Sequence, residues 1–369
     1  MQTSGVRALA LLLLASGALA AAQPATAQPA VVAGAVRDTA GVPLPGVNVY
    51  LSGTERGDAT DVDGRFVLAG VPPGAYRLVA SMVGFAPEAE AITLAPGDTL
   101  AVDLTLAEAP LALGTARVEG ERDRRWERRL ARFKRELLGE STLADSTEIL
   151  NPEVLDFRVR WGTLSATARA PLVIENRALG YRLHYDLVHF EASATRVSYD
   201  GDERFEPLAP ASAPEAARWE AARARAYRGS LQHLLQSLLS GRASEEGFGL
   251  TLLYVSPATM RASGPEFRTS GRRIMRLDDD GWGTLRFRGR LRVSYREDED
   301  AGYPTSRWFP ETHRRPAAVQ RSYLDVSGEA RIDPQGTPED PFGVTTSGYM
   351  GFERLAERVP EGYRPEGQP

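Results

Sequence analysis

The chain has 369 residues, 44 Lys and Arg against 49 Asp and Glu, a formal net charge of −5 and no cysteine. That balance excludes a bulk electrostatic attraction to nucleic acid, and the missing thiols exclude disulfides, thiolate metal sites and thioether-linked haem. Stability must come from apolar cores, and a chain of this length exceeds what one core organises, so two domains are expected.

The first element is a leader. Met1 to Arg7 carries one positive charge, Ala8 to Leu14 is an unbroken apolar run, and small residues follow with Ala-x-Ala spacing at Ala18/Ala20, Ala20/Ala22 and Ala25/Ala27. This is the layout of an export signal over residues 1–22, with cleavage as late as residue 27. The run is shorter than the roughly 20 residues of a membrane-spanning helix, and no later segment is apolar enough to span once the signal is removed. The expected location is the periplasm or the outer membrane, the cell surface included.

Residues 31–108 alternate with period two. Val47, Val49 and Leu51 interleave with Asn48, Tyr50 and Ser52; Tyr76, Leu78 and Ala80 do the same, as do Leu100, Val102, Leu104 and Leu106. Each such run reads as a strand with one buried face. Asp63-Gly64, Pro72-Pro73-Gly74 and Pro96-Gly97-Asp98 supply the turns. About seven strands in this span close naturally as a β-sandwich.

The ordered motifs Gly34-Ala-Val-Arg-Asp-Thr-Ala-Gly41-Val-Pro-Leu-Pro-Gly46-Val-Asn-Val-Tyr50, Gly57-Asp-Ala-Thr-Asp-Val-Asp63-Gly64-Arg-Phe66, Val71-Pro-Pro-Gly74-Ala-Tyr76 and Gly84-Phe85 make this segment resemble the carboxypeptidase-regulatory-like domain. The resemblance implies a transthyretin-like (prealbumin-like) sandwich and an accessory rather than catalytic role. In that family the module sits beside peptidase domains or ahead of the plug of TonB-dependent receptors. A zinc carboxypeptidase needs a His-x-x-Glu pair, yet His184, His189, His233 and His313 are followed three residues on by Leu187, Ala192, Gln236 and Pro316. A receptor barrel of about 22 strands, each roughly 10 residues plus turns, does not fit in residues 109–369. Asp58, Asp61 and Asp63 before Gly64 resemble the start of a calcium loop, but its first and twelfth positions would be Ala59 and Gly70, so an ordinary turn is expected.

After a linker over 109–121, the remainder, 122–360, reads as an α+β domain rich in antiparallel strands with two helical segments. The first helix runs from Asp123 to Gly139, with Trp126, Leu130, Phe133 and Leu137 on one stripe. Tyr181, Leu183, Tyr185 and Leu187 mark a strand, with a hairpin signal at Asp200-Gly201. Pro214 to Gly241 is the second helical segment, bent or divided at Gly229. Leu250–Val255, Leu285–Tyr295 and Ser322–Ile332 read as further strands. Phe133–Ser141, Leu150–Leu155, Pro171–Tyr181, Tyr227–His233 and Gly348–Arg354 resemble the uncharacterised region that follows the regulatory-like module in a group of exported bacterial proteins. No activity comes with that resemblance.

No metal, cofactor or catalytic residue is assigned. His184 and Asp186 share the polar side of one strand and could form an acid/base pair, or be a solvated strand face. His233 reads as a packed or capping residue. Arg286, Arg288, Arg290, Arg292 and Arg296 alternate with apolar residues as a guanidinium row able to hold phosphates or carboxylates; alternatively Asp325, Glu329 and Asp333 neutralise it from a neighbouring strand. Tyr303 and Trp308 lie in an aromatic loop that either stacks on a ligand or folds back on its own core. The expected ligand-binding set is Arg286, Arg288, Arg290, Arg292, Tyr303 and Trp308. It belongs to a non-catalytic envelope protein whose partner is another envelope protein, an anionic glycan or a lipid headgroup. A hydrolase using His184 at a domain cleft and a spacer held by β-strand addition are the alternatives.

Overall fold

The computed structural model describes residues 28–109, 124–255, 262–279, 281–307, 309 and 319–365. The residues expected to form an export signal, nearly all of the expected linker, and Trp308 lie outside the described residues.

The N-terminal unit contains β1 (Ala30–Asp38), β2 (Asn48–Leu51), β3 (Gly57–Ala59), β4 (Arg65–Val71), β5 (Gly74–Ser81), β6 (Glu88–Leu94), β7 (Thr99–Ala101) and β8 (Leu104–Leu106). They form two four-stranded sheets, β3-β2-β5-β6 and one in which β4, β7 and β8 all pair with β1. Val36, Val49, Leu51, Leu78 and Leu106 fill the space between the sheets. The segment read as one strand over Leu100–Leu106 is two, making eight strands rather than seven. It breaks where Val102 donates to the Ala33 carbonyl and the Ala35 amide donates to Asp103 Oδ1 (3.0 Å). Gly34 permits that crossing, since a Cβ there would overlap the Val102 carbonyl. At the acidic turn, Asp61 Oδ1 accepts from the Asp63 and Arg65 amides (2.9 and 2.8 Å), which holds Gly64 at φ +75.

The next layer starts with α1 (Arg124–Leu138), followed by β9 (Thr147–Ile149), β10 (Leu155–Arg160), β11 (Thr163–Ala168), β12 (Leu172–Asn176), β13 (Tyr181–Ala192) and β14 (Val197–Pro207). The six strands form one antiparallel sheet ordered β10-β11-β13-β12-β9, with β14 along β13. The α1 stripe docks on one side, Phe133 packing on Phe190 (centroids 4.6 Å apart) and Trp126 on Phe157 (6.0 Å). Asp200-Gly201 is not the hairpin turn: the chain reverses at Ser193–Arg196, and Gly201 sits within β14 beside a bulge at Leu187/His189. Its missing side chain is a matter of space, because a Cβ would stand 2.6 Å from the Tyr185 ring.

The rest comprises α2 (Ala213–Tyr227), α3 (Leu231–Leu239), β15 (Phe248–Val255), β16 (Ala262–Arg268), α4 (Gly271–Ile274), β17 (Met275–Leu277), β18 (Gly283–Leu285), β19 (Arg290–Tyr295), β20 (Gln320–Val326), β21 (Ala330–Ile332), β22 (Val344–Gly348) and α5 (Tyr349–Phe352). Gly229 (φ +80) divides α2 from α3, and Ser230 caps α3 by accepting from the His233 amide. A five-stranded sheet, β16-β15-β19-β20-β22, and a three-stranded one, β17-β18-β21, share a core with α3 around Leu234, Leu291 and Leu324. Residues 122–360 thus hold two main cores, one beneath α1 and one beneath α3. No helix among the described residues is long and apolar enough to cross a membrane.

Both faces of β2 and β5 are covered, against the expectation of one. Tyr50, Val79 and Ser81 point away from the sandwich core yet are buried, because that face meets β13 and β14. Tyr50 Oη donates to Asp186 Oδ2 (2.6 Å), Ser81 Oγ donates to Asp186 Oδ1 (3.1 Å), and Arg77 pairs with Asp202 (3.2 Å). Main-chain bonds add continuity: the Gly53 amide donates to the Glu203 carbonyl (2.7 Å) and the Phe205 amide to the Thr54 carbonyl (2.9 Å). The C-terminal segment seals the seam, with the Glu361 amide on the Gly53 carbonyl (2.7 Å) and Arg358 on Glu203 (2.9 Å). Buried carboxylates are tolerated only with such partners.

Candidate functional site

The strand expected over Leu285–Tyr295 ends at Leu285 and resumes at Arg290. Gly289 causes the break. It adopts φ +86, and a Cβ there would overlap the Leu253 carbonyl, so the chain passes closely over β15 in a conformation other residues avoid. The Arg286 amide donates to the Ile274 carbonyl (2.7 Å), which fixes the start of the crossing between the two sheets. Opposite it, the strand expected over Ser322–Ile332 is also interrupted, by a turn with Gly328 at φ +83. The two interruptions face each other across an open hollow of about 510 Å³ lined by Arg286, Phe287, Arg288, Gly289, Gly328 and Glu329.

This break sorts the arginines into two kinds. Arg290 donates through Nε and Nη2 to Asp325 (2.9 and 2.7 Å), and Arg292 grips Glu266 with both terminal nitrogens (2.9 and 2.7 Å). The hydrogen bond it donates to Asp325 raises the Arg290 guanidinium above its ordinary range, and Arg292 draws the Glu266 carboxyl below its own. Both are neutralised within the sheet. Arg286 and Arg288 are exposed and their side chains have no hydrogen bond or ion pair among the described residues, with the acid Glu329 lining the same hollow. Of the three acids expected to pair with the row, only Asp325 does so. Asp333 is buried in a turn, accepting from the Gln335 and Thr337 amides (3.0 and 2.8 Å), and burial pushes its carboxyl up to about 6.

Tyr303 does not belong to this hollow. Its ring is fully buried, packed on Phe309, Tyr349 and Phe352 at centroid distances of 5.2, 5.1 and 5.3 Å. Tyr303 and Phe309 pack on this core, which removes Tyr303 from the ligand-binding set. His184 and Asp186 are not hydrogen-bonded to one another either. His184 Nε2 bonds Glu206 (2.8 Å), while Asp186 is buried against Tyr50 and Ser81. Burial lifts the Asp186 carboxyl above its usual range, opposed by those two hydroxyls. The solvated-face reading fails for Asp186 as well, since the sandwich covers it. His233 is a fully buried packing residue: Nδ1 accepts from the Gly229 amide (3.1 Å) and Nε2 meets Glu246 (2.9 Å).

Phe287, Gly289, Gly328 and Glu329 complete the hollow; the sequence pointed to Glu329 only as a counter-charge for the arginine row, and to the other three not at all as site residues. The available signal was the pair Arg288-Gly289 and Ser327-Gly328, two glycines inside runs otherwise read as continuous strands.

Residues 31–107 match the carboxypeptidase regulatory-like domain family. A TonB-dependent receptor of Formosa agariphila is 44% identical over 54 residues, which is 15% of this chain and 5% of the receptor. Among solved structures, a minor pilin of Streptococcus agalactiae aligns at TM-score 0.20 and 18% identity, covering 26% of this chain and 50% of the pilin. A type II cohesin–X-dockerin complex of Acetivibrio cellulolyticus aligns at 0.21 and 18%, covering 31% and 76%. The chain therefore carries a carboxypeptidase regulatory-like domain over residues 31–107.

Proposed function

We propose that this chain, with its carboxypeptidase regulatory-like domain at residues 31–107, is a non-catalytic binding protein of the cell envelope. The sandwich is an accessory module fixed to the second domain, and the second domain holds the ligand. The observation that carries this reading is the sorting of the arginines. Arg290 and Arg292 are spent on Asp325 and Glu266, while Arg286 and Arg288 stand exposed beside Phe287 at an open hollow. Two free guanidinium groups flanking an apolar ring suit a ligand with closely spaced carboxylates or phosphates, as in an anionic glycan or a lipid headgroup. Export is supported by the leader-like residues 1–22, and the short receptor match agrees with an envelope setting. The hydrolase alternative has less support, because His184 and Asp186 are committed to different partners.

The test is calorimetric titration with an oligogalacturonate and with its methyl ester, alongside flotation with anionic and zwitterionic vesicles. Binding to the free acid or the anionic vesicles, absent for the neutral counterparts, is the expected result. A folded protein that binds neither anionic probe overturns the proposal.

A further inference from the structure

A second hollow lies away from the arginines, where two hairpin ends meet a C-terminal loop. β11 pairs with β13 through Leu164↔Ala192 and Ser165↔Glu191, which sets the β10–β11 turn beside the β13–β14 turn. Arg132 of α1 ties the two turns together: Nη1 donates to the Gly162 carbonyl (3.1 Å) and Nη2 to the Ala192 carbonyl (2.8 Å). The third wall is Phe342, held by a turn in which its amide donates to Asp340 Oδ1 (2.9 Å) and set edge-on to His189 with centroids 5.6 Å apart. Together they enclose an open hollow of about 340 Å³, near the lower end of the size of small-molecule sites.

The lining is polar, but its formal charges cancel. Glu191 and Arg196 both face the hollow, and neither side chain has a hydrogen bond or ion pair among the described residues. Ser198 and His189 Nε2 bond one another at 3.0 Å, and Thr163 adds a further hydroxyl. Two residues before Thr163 stands Trp161, with 93% of its surface exposed, against 9% for the buried Trp219. Trp161 is also the one non-glycine with positive φ (+51) among the described residues. A bulky side chain is strained in that region, and such strain concentrates at functional sites.

We infer that this hollow binds a neutral, hydroxyl-rich saccharide, independently of the anion site at Arg286 and Arg288. Sugar hydroxyls both donate and accept, matching Thr163 and Ser198. A vicinal diol can donate both protons to the Glu191 carboxylate while accepting from the Arg196 guanidinium. The C–H face of a pyranose ring has Phe342 of the lining to lie against, and the exposed Trp161 stands on the adjoining turn. One carboxylate and one guanidinium with no net charge do not select an anion, which separates this lining from the other hollow.

The experiment is saturation-transfer NMR with cellobiose, maltose, xylobiose and di-N-acetylchitobiose, followed by tryptophan fluorescence titration of whichever sugar responds. At least one disaccharide is expected to show transfer, and its affinity to fall at least tenfold in both Glu191→Gln and Phe342→Leu. The fluorescence change is expected to vanish in Trp161→Phe. Arg286→Ala with Arg288→Ala should leave sugar binding unchanged. Phe342→Leu keeps an apolar side chain at a half-exposed position, and circular dichroism checks that each variant is folded. Absence of transfer from all four sugars to the folded wild-type protein overturns the inference, as does undiminished affinity in Glu191→Gln and Phe342→Leu.

Discussion

Tyr50→Phe removes one hydroxyl from the seam between the N-terminal sandwich and the β13–β14 strands and leaves the ring in place. That hydroxyl donates to Asp186 at 2.6 Å, and both residues are buried, at 2% and 8% exposure. A hydrogen bond to a charged group contributes about 1.5–3 kcal/mol, and Asp186 would keep only the longer bond from Ser81 (3.1 Å). The loss is expected to appear as local undocking, because the sandwich and the second domain each have a core of their own. Two amides report it directly: those of Gly53 and Phe205 donate across the seam to Glu203 and Thr54. Their hydrogen exchange should speed up by about ten- to a hundredfold in Tyr50→Phe, while core amides such as that of Leu78 change little. Asp186→Asn should give a similar effect. The double variant should lose less than the sum, with a coupling of about 1–3 kcal/mol. Exchange at Gly53 and Phe205 that is fast in the wild type and unaffected by either substitution would refute the docked arrangement.

Three further predictions concern stability. Gly201→Ala places a methyl 2.6 Å from the Tyr185 ring and should cost about 1–3 kcal/mol in urea unfolding, whereas Gly84→Ala, with nothing within 4 Å of the added Cβ, should cost only the strain of its own turn. Phe133→Ala empties the contact between α1 and the sheet and should cost about 3–5 kcal/mol by the same assay; a cost under about 1 kcal/mol would mean α1 is not docked. Burial, with Asp333 nearby, pushes the Glu361 carboxyl up to about 8. Its folded state therefore holds a proton that the unfolded chain releases near its ordinary value. The stabilisation is full below about pH 4.5 and is lost as pH rises to about 8, by about 1 kcal/mol per pH unit or less. Glu361→Gln should flatten this slope in thermal melts between those limits. An unchanged slope would show that the carboxylate is solvated.

The sandwich could be read from sequence because its determinants are local. Alternation in Val47–Leu51 and Tyr76–Ala80 names the inner face, and glycines such as Gly64 mark the turns. The outer face could not be read, since whether Tyr50 meets water or protein depends on Asp186, 136 residues away. The arginine row failed for a different reason. Leu285, Phe287, Leu291 and Val293 keep period two straight through Gly289, so alternation preserves its phase across a break in the backbone. Pattern reports side-chain phase, and only the close pass over Leu253 reveals the interruption. Tyr303 was ambiguous because an aromatic loop has the same composition whether it faces solvent or its own core. Trp161 and Phe342 gave no local signal, being far apart in the chain.

In the proposed function, the backbone break leaves Arg286 and Arg288 free for a ligand while Arg290 and Arg292 serve the sheet. Titration of one anionic oligosaccharide against two double variants tests it. Arg286→Ala with Arg288→Ala should weaken binding by tenfold or more and leave the melting temperature unchanged, whereas Arg290→Ala with Arg292→Ala should lower the melting temperature and spare the affinity. Equal affinity in the wild type and the Arg286/Arg288 variant would contradict the account.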